Sequence, residues 1–187
     1  MKTLIKKLDQ QTINKIAAGE TIERPVSIVK ECIENSIDAK ASKISIEIEN
    51  GGKTFIKITD NGVGINKEDL KLAPIQYATS KITELEDIYE TISYGFRGEA
   101  LASISHVANL EIQSKTKDAN AYSIKANNYE ISSIIPTTHP DGTSIIIKDL
   151  FYEIPVRLKY LKTDKTEANY ISECIHNFAC IFPKIDF

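Results

Sequence analysis

Residues 43–64 read KISIEIENGGKTFIKITDNGVG, and this stretch limits the fold more firmly than any other. Ile44, Ile46 and Ile48 alternate with polar residues, as a strand with one buried face does. After NGGK the pattern returns with Ile56 and Ile58. Two alternating runs joined by a short glycine turn predict a hairpin. Its isoleucines need a second layer to cover them. The flanking sequence offers helices for that layer. Pro25 suits the first turn of a helix reaching about Ile37, with Val26, Val29, Ile33 and Ile37 stepping by three and four. Ahead of it, Asp9 predicts the cap of a helix through Ala18, with Ile13, Ile16 and Ala17 as its apolar side and Gly19 as its end.

Beyond the hairpin, Asn66 with Asp69 three residues on marks another helix start. The stretch from Tyr77 to Leu101 has mixed polarity. It predicts a loop holding a short helix, then a glycine turn and a helix through about Ser105. NLEIQSK, AYSIKA, YEISSII and TSIIIKDL read as strands, the last an apolar run suited to the centre of a sheet. A final helix places Ile171, Cys174, Ile175 and Phe178 on one face. Helices, hairpin, helices, strands and a helix, in that order, predict an α+β two-layer sandwich with a mostly antiparallel sheet.

The 187 residues fit one domain with a core of its own. A net charge of −3 excludes a polycation that coats nucleic acid, so any such contact must be a local patch. Cys32, Cys174 and Cys180 lack metal-ligand spacing and predict reduced thiols in a cytosol-like compartment. No stretch has the length of a membrane span, and the first residues do not read as a signal peptide.

Three constellations carry chemistry. On the second helix Glu31, Asn35 and Asp38 share a stripe with Ser27. A solvated helix face is the ordinary explanation, but asparagine is a poor interior helix residue. In DNGVGI, Asp60 ends a strand and places an acceptor beside Gly62 and Gly64. It could receive an amino group such as that of adenine, although a plain turn accounts for the motif alone. In YGFRGEAL, Gly95 and Gly98 precede a helix, where backbone N–H groups and the helix dipole favour an anion. It is neither a Walker loop nor a dinucleotide fingerprint. Together the three suggest a nucleotide site.

The strings IAAGETIERPVSIVKECIENSIDA, DNGVGI, ATSKI, GFRGEALASIS and GTSIIIKDLFYEIPVRLKYLK, in that order, resemble the N-terminal ATPase region of the MutL DNA mismatch repair family. That family is grouped with DNA gyrase, a heat-shock chaperone and the histidine kinases. The resemblance implies a Bergerat-type ATPase fold, a mixed, mostly antiparallel sheet covered by helices on one face. It implies Glu31 as general base, Asn35 as Mg2+ ligand and Asp60 as the adenine-binding acid, with Gly62 and Gly64 shaping that wall. It implies Thr79, Ser80 and Lys81 in a lid over the phosphates, Gly95, Phe96, Arg97 and Gly98 as the phosphate loop, and Thr143 beside the base. Arg157, Lys159, Lys162 and Lys165 become candidates for DNA-backbone contact.

As partners it implies ATP, DNA, a mismatch-recognition protein of the MutS type and a homo- or heterodimer partner, with no membrane. The setting implied is cytoplasmic, or nuclear in a eukaryote. Residues 1–187 would be the ATP-binding domain. The lysine-supplying second domain and the dimerisation domain of the family would lie outside them. Four positions depart from the family pattern: Tyr77 where histidine is common, Glu153 for asparagine, and Val156 and Leu158 for alanine and arginine.

Overall fold

A computed structural model describes residues 5–78, 98–128 and 130–187. The expected hairpin is present: β1 (Ile44–Glu49) and β2 (Phe55–Asp60) pair antiparallel around a 3-10 turn at Asn50–Gly52. Four more strands complete a six-stranded sheet: β3 (Asn109–Lys115), β4 (Ala121–Ala126), β5 (Ile135–Thr137) and β6 (Gly142–Lys148). Their order in space is β1-β2-β6-β3-β4-β5, with antiparallel pairing throughout. The apolar run TSIIIKDL thus lies inside the sheet, as its sequence predicts. Among the described residues, 130–135 of YEISSII do not form a full strand. Only a single bridge at Ile131 and the short β5 come from that region, and Ile131 and Ile135 are exposed.

The register lines up three rows on one face of the sheet. One row is Ile46, Ile58, Ile145, Ile112 and Ile124, and the next is Ile48, Ile56, Ile147, Leu110 and Ala126. The third is Ile44, Asp60, Thr143, Ser114 and Tyr122. The first two rows enter the core and the third turns polar at its centre. The opposite face carries Glu47, Lys57, Glu111 and Lys125, so it needs no cover.

Helices close the apolar face. They are α1 (Gln10–Thr21), α2 (Pro25–Asp38), α3 (Lys67–Leu72), α4 (Ala100–Val107), α5 (Pro155–Tyr160) and α6 (Asp164–Ile181). Asp9 caps α1 through the Thr12 N–H, and Asn66 caps α3 through the N–H groups of Glu68 and Asp69. Two expectations for α1 are corrected. The helix runs through Gly19, and Ile13, Ile16 and Ala17 are exposed while Ala18 and Ile22 are buried. Gly19 leaves room for the Arg157 guanidinium, which donates to the Gly19 carbonyl and lies over the Phe151 ring.

On α2 the buried face is turned from the predicted one. Ile28, Val29, Cys32, Ile33 and Ser36 are buried, while Val26 and Ile37 are half-buried. Asp186 bridges to β1 through Ser42 and Ile44, which covers that edge of the sheet. Among the described residues no helix is long and apolar enough to cross a membrane.

Candidate functional site

The polar third row is where the site is built. Asp60 ends β2 opposite Thr143 on β6, and Ser114 on β3 lies opposite Thr143 on its other side. All three are buried. α2 crosses this end of the sheet, and the Ser36 hydroxyl lies 3.0 Å from Asp60 Oδ2. The Gly62 N–H donates to Asp60 Oδ1 at 2.8 Å. Burial raises the Asp60 pKa, and hydrogen bonds from Gly62, Ser36 and the Thr143 backbone partly offset it, with a smaller contribution from His139. Cys32, one turn before Ser36, is pushed up to about 12, first by burial and then by the charges of Glu31 and Asp60. Cys32 is a free, buried cysteine.

Glu31, Asn35 and Asp38 are half-buried, so their stripe is not a fully solvated face. Among the described residues no hydrogen bond or ion pair engages the Glu31 carboxylate, which leaves it open to a ligand. No cluster of three or more His, Cys, Asp or Glu side chains suited to a metal is present among the described residues. A single amide oxygen at Asn35 fits a hard cation that brings its own oxygen ligands.

Gly64 has φ +72°, and a Cβ there would meet the Lys115 carbonyl oxygen at 2.1 Å. Gly98 has φ +61°, and a Cβ there would meet the Ala78 carbonyl oxygen at 2.5 Å. Both glycines serve close approach of backbone to backbone, beyond any clearance for a ligand. Gly98 also accepts from the Tyr77 N–H at 3.0 Å, and Tyr77 itself has φ +65°. Two residues after Gly98, α4 begins with no side-chain cap among the described residues. Thr79, Ser80, Lys81, Gly95, Phe96 and Arg97 lie outside the described residues.

Two cavities, of about 410 and 370 Å3, lie between α2 and α6 and on the uncovered sheet face. Neither touches Asp60. The donor and acceptor chemistry of the polar row marks the site.

Residues 23–149 match the model of the histidine kinase-, DNA gyrase B- and HSP90-like ATPases. The chain belongs to that ATPase family. Within it, the chain is similar to the DNA mismatch repair protein MutL of Histophilus somni, at 50% identity over 98% of this chain and 30% of that protein. The solved ATPase domain of Aquifex aeolicus MutL complexed with ADP superposes with a TM-score of 0.69 at 33% identity, covering 88% of this chain and 58% of that one. A crystal structure of the N-terminal domain of a DNA repair protein gives a TM-score of 0.78 at 30% identity, over 92% of this chain and 50% of that one. The expected resemblance to MutL and the Bergerat-type α+β fold are borne out. The chain spans about a third of the length of the curated relatives it matches.

Sequence reasoning missed Ser36 and Ser114. Ser36 continues the spacing of Ile28 and Cys32, and that rhythm could have revealed it as inward-facing. Arg157 is held by Gly19 and Phe151, whereas Lys159, Lys162 and Lys165 are exposed. Glu153, the departure from asparagine, pairs with Lys15 at 2.6 Å and accepts from Asn128 at 3.3 Å.

Proposed function

We propose that residues 1–187 are the ATP-binding and ATP-hydrolysing switch domain of a MutL-like DNA mismatch repair protein. The observation that carries this reading is the buried Asp60 carboxylate. It is fixed by Ser36 and Gly62 beside Thr143, under a helix that also presents the unengaged Glu31. Asp60 accepts a hydrogen bond from the amino group of adenine. The phosphates extend toward Gly98 and the uncapped start of α4, where N–H groups and the helix dipole favour negative charge. Glu31 takes a proton from the water that attacks the γ-phosphorus, and ADP leaves. Asn35 would hold Mg2+, which neutralises phosphate charge when bound with the nucleotide.

The lid residues Thr79, Ser80 and Lys81 and the loop residues Gly95, Phe96 and Arg97 complete the phosphate side. ATP binding orders them and favours pairing with a second copy or a family member. The exposed Ile5, Leu8, Ile13 and Ile16 at the N-terminal end of the chain supply apolar surface for that pairing. Lys159, Lys162 and Lys165 contact the DNA backbone, and a mismatch-recognition protein of the MutS type is the upstream partner.

A second reading is a domain that holds nucleotide or DNA without turnover, favoured by the 58% coverage of the ADP-bound relative. Phosphate release by the 187-residue chain, with Glu31→Ala as the blank, separates the two. Release above the blank supports hydrolysis. ATP binding with no release above it supports the second reading. Absence of ATP binding overturns both as nucleotide readings.

A further inference from the structure

We infer that Ser36 is a specificity-determining residue, whose hydroxyl keeps the base-facing side of Asp60 an acceptor in both protonation states of the carboxyl. This rests on the nucleotide reading of the site and concerns how the site tells a 6-amino from a 6-oxo purine.

The argument is a count of hydrogens. The Ser36 hydroxyl has one hydrogen and two acceptors within reach: the Cys32 carbonyl and Asp60 Oδ2, each at 3.0 Å. The carbonyl never donates. While Asp60 is ionised, Ser36 donates to Oδ2. Once Asp60 takes up a proton, Oδ2–H donates to Ser36 and the serine turns its own hydrogen to Cys32. The acid proton thus has a buried partner and does not turn toward the base. Oδ1 is meanwhile held by the Gly62 N–H at 2.8 Å, which bars a proton from that oxygen on the same side.

The Ser114 and Thr143 hydroxyls lie 2.9 Å apart and either can donate to the other, so the choice between an amino and an oxo group rests on Asp60. Its remaining lone pairs accept from a 6-amino group, and a 6-oxo group leaves acceptor facing acceptor.

The ionisable groups that interact with Asp60 are Cys32 on α2 and His139 ahead of β6. Both are present in the parent and in a serine variant, so their effect cancels in a comparison of the two.

The test is calorimetric titration of the 187-residue chain with ATP and with inosine triphosphate, at about pH 8 and at a lower pH where carboxyl NMR shows Asp60 protonated in the folded chain. The ratio of the two affinities removes whatever depends on the triphosphate. For the parent the ratio is expected to hold between the two pH values. For Ser36→Ala it is expected to match the parent at the higher pH and fall about tenfold at the lower, as the freed O–H turns toward the 6-oxo group. Ser36→Thr keeps the hydroxyl and is expected to follow the parent, which guards against a folding defect in the alanine variant. A constant ratio in Ser36→Ala overturns the inference, as does a parent ratio that itself falls. A parent that binds no ATP overturns the nucleotide reading, and this inference with it.

Discussion

At Asp60 the demands of binding oppose those of stability. Burial holds its pKa above the ordinary carboxylate value, so the folded chain holds this proton more tightly than the unfolded one. The stability it contributes is fully present below the unfolded pKa and is lost as pH rises through the raised folded value. Asp60→Asn removes that dependence. Ser36 can then accept from the new amide and donate to Cys32, so the fold tolerates the change. At neutral pH this variant is expected to melt no lower than the parent in calorimetry. ATP binding should weaken at least about tenfold, the loss of a hydrogen bond to a charged acceptor. Parental ATP affinity in the variant would sink the adenine assignment. Glu31→Ala should leave ATP affinity near parental and slow phosphate release by about 10²–10⁴, the usual share of a general base. Unchanged release would remove Glu31 from that role.

At the scale of elements, close backbone contacts hold the site walls in place. Gly64→Ala combines a left-handed φ with a Cβ pressed onto the Lys115 carbonyl. The backbone strain alone costs about 1–3 kcal/mol, and urea unfolding is expected to show at least that loss. Wild-type stability would mean that the loop has room to shift. The elements themselves were largely legible in the sequence: alternation predicted β1 and β2, and proline and asparagine marked the starts of α2 and α3. Two faces were not. Ile13 and Ile16 suggested the buried side of α1, but that helix buries Ala18 and Ile22. Spacing shows that a helix is amphipathic, but tertiary packing decides which flank is covered. The same limit hid Ser36, because a serine inside an apolar rhythm announces no partner 24 residues away. The family resemblance set Asp60 and Thr143 at one base, and the register pairs the two residues across β2 and β6. Composition and periodicity alone would not have joined them.

At the scale of the whole molecule, a basic stretch and an apolar helix face are both exposed. The lysines at 159, 162 and 165 are exposed on a chain of net charge −3. Each phosphate contact contributes about −0.9 to the slope of log affinity against log salt on duplex DNA. Replacing all three lysines should flatten that slope accordingly, without changing ATP affinity, and an unchanged slope would place the DNA surface elsewhere. The exposed isoleucines of α1 lie on a different part of the chain. Ile16→Glu is expected to abolish ATP-dependent pairing in sedimentation experiments while nucleotide still binds. Undiminished pairing would exclude α1 from the contact.

The strand order has a consequence in time. β6 lies between β2 and β3, so Asp60, Thr143 and Ser114 meet only when a late segment inserts between two earlier ones. Such long-range pairing is slow to form. During synthesis the acid and its glycine turn leave the ribosome well before the threonine that faces them. On the nucleotide reading proposed above, a ligand that needs Asp60 and Thr143 together binds the finished sheet in preference to the partly made chain. Its binding energy then adds to the finished sheet by mass action and draws the folding equilibrium toward completion.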